Sequence, residues 1–195
     1  MNHRTVFFTL MTAVLAAAFF VPEAAAQRRD FVNEEEAELI REHQEIDMRI
    51  EVLTKFIERR LAALGIPGHT WSPPKKNAEL WGEEPKGTKL ELLYDIKRIL
   101  QKAIDDIDDI ASRDMTAIEG NEKTGKLFPK AVRSLSSAAT RYRSIFESEL
   151  AKTKAEKERG VLMDSEELCD QIIEAAAGLP AEVKEDKNKK KPDNR

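Results

Sequence analysis

The chain has 195 residues, with 32 Lys and Arg against 36 Asp and Glu, a formal charge of −4 and one Cys. That length allows one compact domain, the charge balance lacks the dominant basic face that nucleic-acid binding needs, and a lone thiol excludes a disulfide framework or a cysteine-based zinc site within one chain. The charged fraction of 35%, well above the roughly 25% of ordinary globular chains, points to long helices with one oily and one ionic face.

Residues 1–26 carry Arg4, the apolar run from Val6 to Val21, and then Pro22, Ala24 and Ala26. A basic start, a short apolar run and small residues just before Gln27 match a cleavable export signal. A spanning anchor wants roughly 17 to 25 apolar residues, and Pro22 breaks the run. The expected mature protein starts at Gln27 in the periplasm or outside the cell, with residues 27–32 as a flexible start and no stable membrane span.

From Asn33 the positions Leu39, His43, Ile46, Ile50, Leu53, Ile57, Arg60 and Leu64 advance by alternating steps of four and three, which places them on one seam of a single helix. Val52 and Phe56 widen the face. Asn33 with Glu36 reads as a capping box, and Gly65 with Pro67 as the stop. Glu45 with Arg49 and Glu51 with Lys55 have the spacing and order of helix-supporting ion pairs. Arg60 is expected to pack its stem near the helix end and send its charge to water or to the final carbonyls.

Residues 65–87 hold four of the eight Gly, four of the eight Pro, both Trp (Trp71 and Trp81) and His69. Loops longer than about 12 to 15 residues are uncommon and often functional. One reading has the two indoles pinning a crossover that runs the length of the first helix. The other makes Trp71, Trp81 and His69 a partner-binding surface, as suits aromatic anchors on a Pro-rich loop.

Thr88 and Glu91 form a second capping box. The helix behind them turns Leu93, Ile96, Leu100, Ala103, Ile104, Ile107 and Ile110 inward, with Lys97, Lys102, Asp105, Asp106, Asp109 and Arg113 on its far face. Glu119 to Gly125 supplies a turn. A third helix starts around Pro129, buries Val132, Leu135, Ala139, Tyr142, Ile145 or Phe146, and Leu150, and runs out through a charged stretch to a stop at Gly160. A shorter fourth helix opens at Asp164 or Ser165 with Glu167 in capping position, buries Leu168, Ile172, Ile173 and Ala176, and closes at Gly178 and Pro180. Residues 181–195 read as a disordered basic tail.

The expected fold is therefore all-α, a bundle of about four helices, three long and one short, over residues 33–180, with a long Pro, Gly and Trp loop after the first helix. Catalytic motifs are missing: there is no HExxH, G-x-S-x-G, P-loop, G-x-G-x-x-G or C-x-x-C-H. The expected protein is not an enzyme and carries no cofactor; it meets an envelope protein or peptide, not nucleic acid, and allows a homo-oligomer. An alternative is a metal or small-ligand site built from His43, Asp47, Asp105 and Asp109, since His43 and Asp47 lie one helical turn apart. Cys169, at the edge of the last stripe, is expected to be buried; a disulfide between copies is the alternative.

Overall fold

The computed structural model describes residues 30–113 and 127–179. The chain divides after Asp30, and the architecture concerns the unit that begins at Phe31. The expected signal at 1–26, the turn at 119–125 and the tail from 181 lie outside the described residues. Among the described residues there are five α-helices, one short 3-10 turn and no strand: α1 Glu34–Glu42, α2 Ile46–Ala63, the turn Ala78–Trp81, α3 Lys89–Arg113, α4 Leu127–Lys152 and α5 Glu156–Ala177.

The all-α expectation holds, while two boundaries move. The first helix is broken at residues 43–45. His43 closes α1: its Nδ1 lies 2.8 Å from the Leu39 carbonyl, and Arg49 Nε donates to the His43 carbonyl at 3.0 Å. The third helix stops at Lys152 instead of fraying to Gly160. There Arg159 Nη1 donates to the carbonyls of Leu150 (2.7 Å) and Thr153 (3.2 Å), and Lys89 Nζ donates to the Thr153 hydroxyl. Both breaks use one device. An arginine in the first turn of the next helix, six residues past the break, turns back and satisfies carbonyls that the ended helix leaves without partners.

Because α4 ends early, α5 starts early. Glu156 and Glu158 sit in its first turn, where negative charge is favoured by the helix dipole. The helix runs through Gly160 without interruption, and Ser165, expected as a cap, lies inside it and donates to the Val161 carbonyl at 2.8 Å. The expected short fourth helix is thus 22 residues long and adds Val161 and Leu162 to the core.

Other local expectations stand. Asn33 Oδ1 accepts from the Glu36 amide at 2.7 Å and Glu36 returns the bond to the Asn33 amide; Thr88 and Glu91 repeat the pattern on α3. The α2 stop is a Schellman turn: Ile66 N–H bonds to Leu61 C=O and Gly65 N–H to Ala62 C=O, with Gly65 at φ +64, a conformation in which a Cβ costs roughly 1 to 2 kcal/mol. Ile66 and Leu61 are both buried beside it.

The four longer helices pack in a ring in which α2 touches α3 and α4, and α5 touches the same two. Ion pairs give the directions. Arg49 meets Asp106 and Arg60 meets Asp95, so α2 and α3 are antiparallel. Lys130 bonds Asp47 at 2.5 Å near the starts of α4 and α2, while Arg141 bonds Glu58 further along both, so that pair is parallel. Lys89 with Glu158 and Lys97 with Asp164 make α3 and α5 parallel as well. Two antiparallel helix pairs, α2–α3 and α4–α5, are therefore laid side by side. Their apolar stripes meet at Phe56, Leu53, Ile57, Ile96, Leu100, Leu135, Tyr142, Phe146 and Leu162, all at most 1% exposed.

This packing overturns the crossover reading of residues 65–87. Since α2 and α3 are antiparallel neighbours, the connector leaves and returns at the same end of the pair. Spare length lets it fold back along α2 and over α1. The turn at Ala78–Trp81 packs on α1, and Gly82, at φ +62, comes so close that a Cβ there would lie 2.6 Å from Glu35 Oε2.

The continuous α5 sets a direct test. Gly160 is helical with nothing within 4 Å of an added Cβ, so Gly160→Ala should raise stability by about 0.5 to 1 kcal/mol in urea unfolding. A loss of stability would mean that the helix ends at Gly160.

Candidate functional site

The candidate site is the connector where it crosses α2. Its base is a buried ionic group made by Glu36 of α1, Arg59 and Arg60 of α2 and Asp95 of α3. Glu36 is fully buried, yet its carboxylate accepts from Arg59 Nη1 (2.6 Å), Arg60 Nη1 (2.9 Å) and Arg60 Nη2 (2.7 Å). Arg60 Nη2 also donates to the Phe31 carbonyl at 2.7 Å, and its Nε lies 3.7 Å from Asp95. Two guanidinium and two carboxylate charges cancel, which is the condition under which burying them is tolerable. Arg60 therefore does not send its charge to water as expected; it is 3% exposed and held by acids from two other helices.

Arg59 faces the connector. Its Nη2 donates to the Glu83 carbonyl at 2.7 Å, and its guanidinium lies 5.4 Å from the Trp71 ring and 5.9 Å from the Trp81 ring. Burial pulls the Arg59 guanidinium below its ordinary value, opposed first by the charge of Glu36. The cation remains, and desolvated cation–π contacts of this kind contribute about 2 kcal/mol. The two indoles sit 5.2 Å apart at a 57° tilt, Trp81 stands edge-on to Phe56 at 5.8 Å, and Lys55 covers the Trp81 ring. Both indoles are half-buried, and Leu80 beside them is 44% exposed. The structure thus brings Trp71 and Trp81 together as one fixed patch.

His69 does not join the ring contacts of that patch. It is half-buried, and its Nδ1 is buried without a hydrogen-bond partner among the described residues. Next to it, the Thr70 amide donates to the buried Glu58, which also takes Arg141. Burial pushes the Tyr142 hydroxyl far above its usual range, with the Glu58 charge adding to the effect.

The residues of the alternative metal site are not gathered. His43 caps α1, and the break after it removes the one-turn relation to Asp47. Asp47 is buried and paired with Lys130, Asp105 accepts from Gln101 at 2.9 Å, and Asp109 pairs with Arg113 at 2.8 Å. Among the described residues no three His, Cys, Asp or Glu side chains converge as a metal site would require. Of the expected far face of α3, Asp106 is instead buried, held by Lys102 and facing Arg49. Arg49, expected to pair with Glu45, is taken by the His43 carbonyl and Asp106.

Cys169 is fully buried. Burial, reinforced by Asp170 and Glu166, pushes its thiol from 9.0 up to about 12. A group that stays protonated in the folded state but ionises in the unfolded one contributes stability below pH 9 that is lost as pH rises toward 12.

Glu36, Arg59 and Asp95 are the members of the site that sequence reasoning missed. The signal was the pair Arg59–Arg60 with Arg60 on an otherwise apolar seam, since a charge at a core position calls for a buried counter-charge.

No family model, curated protein or solved structure matches the chain.

Two outcomes follow. Glu36→Gln leaves both guanidinium groups short of charge in the interior, and breaking a buried pair this way costs about 3 to 5 kcal/mol, read as a lower urea midpoint with unchanged slope. Cys169 should resist alkylation by iodoacetamide at pH 8 in the native state and react fully in denaturant; native-state reaction at the denatured rate would place the thiol at the surface.

Proposed function

We propose that this is an exported four-helix bundle that works in the cell envelope by protein contact, without catalysis, and that the connector around Trp71 and Trp81 is its contact surface. The carrying observation is the indole pair itself: half-buried, 5.2 Å apart and set over a guanidinium that the Glu36 carboxylate and the Glu83 carbonyl hold in place. Aromatic and arginine side chains fixed before binding lose little conformational freedom on association, and tryptophan is enriched among residues that dominate interface energetics. The exposed Leu80 extends the apolar area.

Export is supported by the leader-like run and by Ala24 and Ala26 ahead of Gln27. No described helix is long and apolar enough to cross a membrane. The partner that fits is an envelope protein or peptide with an apolar face, or a second copy of the chain.

The surface is tested by placing a photo-crosslinking residue at Ser72, beside Trp71, and at the exposed Thr140 of α4 as a control. Adducts should form from Ser72 only and fall roughly tenfold or more with Trp71→Ala, a loss in keeping with a hot-spot tryptophan. Trp71 is the residue to remove, because Trp81 also packs on Phe56. Equal adducts from both positions, or adducts unaffected by Trp71→Ala, would sink the assignment. Separately, protein recovered from the producing cell should begin at Gln27 by intact mass.

A further inference from the structure

Away from the connector, the ring of helices is not closed tightly where α3, α4 and α5 meet. A cavity of about 200 Å³ opens there, walled by Ile107 of α3, Leu135 of α4, and Ile172 and Ala175 of α5, with Asp108 and Gln171 contributing its polar atoms. A pocket of this size with aliphatic walls has few polar partners to offer water. A 150 Å³ cavity lined by Leu, Ile and Phe already takes up benzene, so the volume suits an apolar body of about six carbons.

The chemistry of the remaining wall selects the head group. Of the four aspartates between residues 105 and 109, Asp105 accepts from Gln101, Asp106 is held by Lys102, and Asp109 is paired with Arg113. Asp108, the one that lines the cavity, has no hydrogen-bonding or ionic partner among the described residues. It is exposed. On the same lining, Gln171 of α5 offers a carboxamide oxygen that can accept a second hydrogen bond.

We propose that this cavity binds a small aliphatic primary amine, with the alkyl chain among Ile107, Leu135 and Ile172 and the ammonium donating to Asp108 and Gln171. An aliphatic ammonium is the ligand that satisfies both halves of the site, since a carboxylate head would meet the Asp108 charge and a neutral head would leave it unused. The alkyl chain supplies the affinity and Asp108 the selectivity. Exposed ion pairs are weak, so the amine should bind only about two- to fivefold more tightly than the alcohol of equal length.

The probes are n-hexylamine, 1-hexanol and hexanoate, titrated at pH 7 into the full mature chain, with the methyl resonances of Ile107, Leu135 and Ile172 followed by NMR. Expected are saturable shifts confined to those methyls, in the affinity order amine, alcohol, carboxylate. Asp108→Asn should bring amine and alcohol to equal affinity while leaving alcohol binding unchanged. Ala175→Phe, placed at the exposed wall so that the core stays intact, should abolish the shifts for all three probes. Absence of saturable shifts overturns the site. Binding without the amine preference, or a preference that survives Asp108→Asn, overturns the ligand class. Circular dichroism of both variants keeps a folding defect from passing as loss of binding.

Discussion

The carboxylate of Glu36 lies inside the protein with two arginines on it, and the relation of α1, the connector and the α2–α3 pair depends on that contact. Dehydrating a carboxylate costs several kcal/mol even after relaxation, so α1 cannot dock with Glu36 pointing inward unless Arg59 and Arg60 are already in place. The reverse holds for the arginines. Each charge is acceptable only in the company of the others, which makes the docked arrangement specific in a way that Leu39 and Ile46 on an oily surface could not impose alone. Asp95 brings α3 into the same group. Among the carbonyls that Arg59 and Arg60 take, those of Glu83 and Phe31 extend it to the irregular segments that precede α3 and α1.

Elsewhere charge does a different job. The pairs that run between helices, Lys130 with Asp47, Arg141 with Glu58, Lys97 with Asp164 and Arg143 with Asp170, sit at the margins of the apolar stripes, and several have one member in water. Isolated pairs of that kind contribute at most about 1 kcal/mol. Their value is in register: a one-turn slip of α4 along α2 would leave Asp47 and Glu58 buried without cations. The unusual charged fraction of the chain is accounted for in part by this, since parallel neighbours such as α2 and α4 are joined by no short loop that would fix their alignment.

Much of this was legible in the residues. Three-and-four spacing located the buried faces of α2, α3 and α4 and of the second half of α5, and Asn33 with Glu36, Thr88 with Glu91, and Gly65 marked ends that the structure keeps. What misled was local punctuation. Gly160 looks like a stop, but a glycine inside a helix costs only about 1 kcal/mol, less than the packing of Val161 and Leu162 returns. The real breaks, at His43 and Thr153, carry no Gly or Pro, because their carbonyls are met by Arg49 and Arg159 from beyond the break, a bond that depends on how the next helix is placed. Buried charge was invisible for the same reason. Arg60 on the seam was noticed, yet its partners come from 24 and 35 positions away in sequence, and no period in a single chain reports that. The tryptophans were picked out by composition; that they stack together on Arg59 could be known only once α2 and the connector shared a surface.

Both indoles of the chain lie in one cluster, within 6 Å of the same guanidinium. Intrinsic tryptophan emission therefore samples a single junction, where α1, α2 and the connector meet, and is blind to the far helix pair, whose α4 carries Tyr142. A change in emission without a change in ellipticity would mean that the connector has lifted while the helices stay wound, so the protein carries its own reporter for separating the loosening of its surface from the melting of its interior.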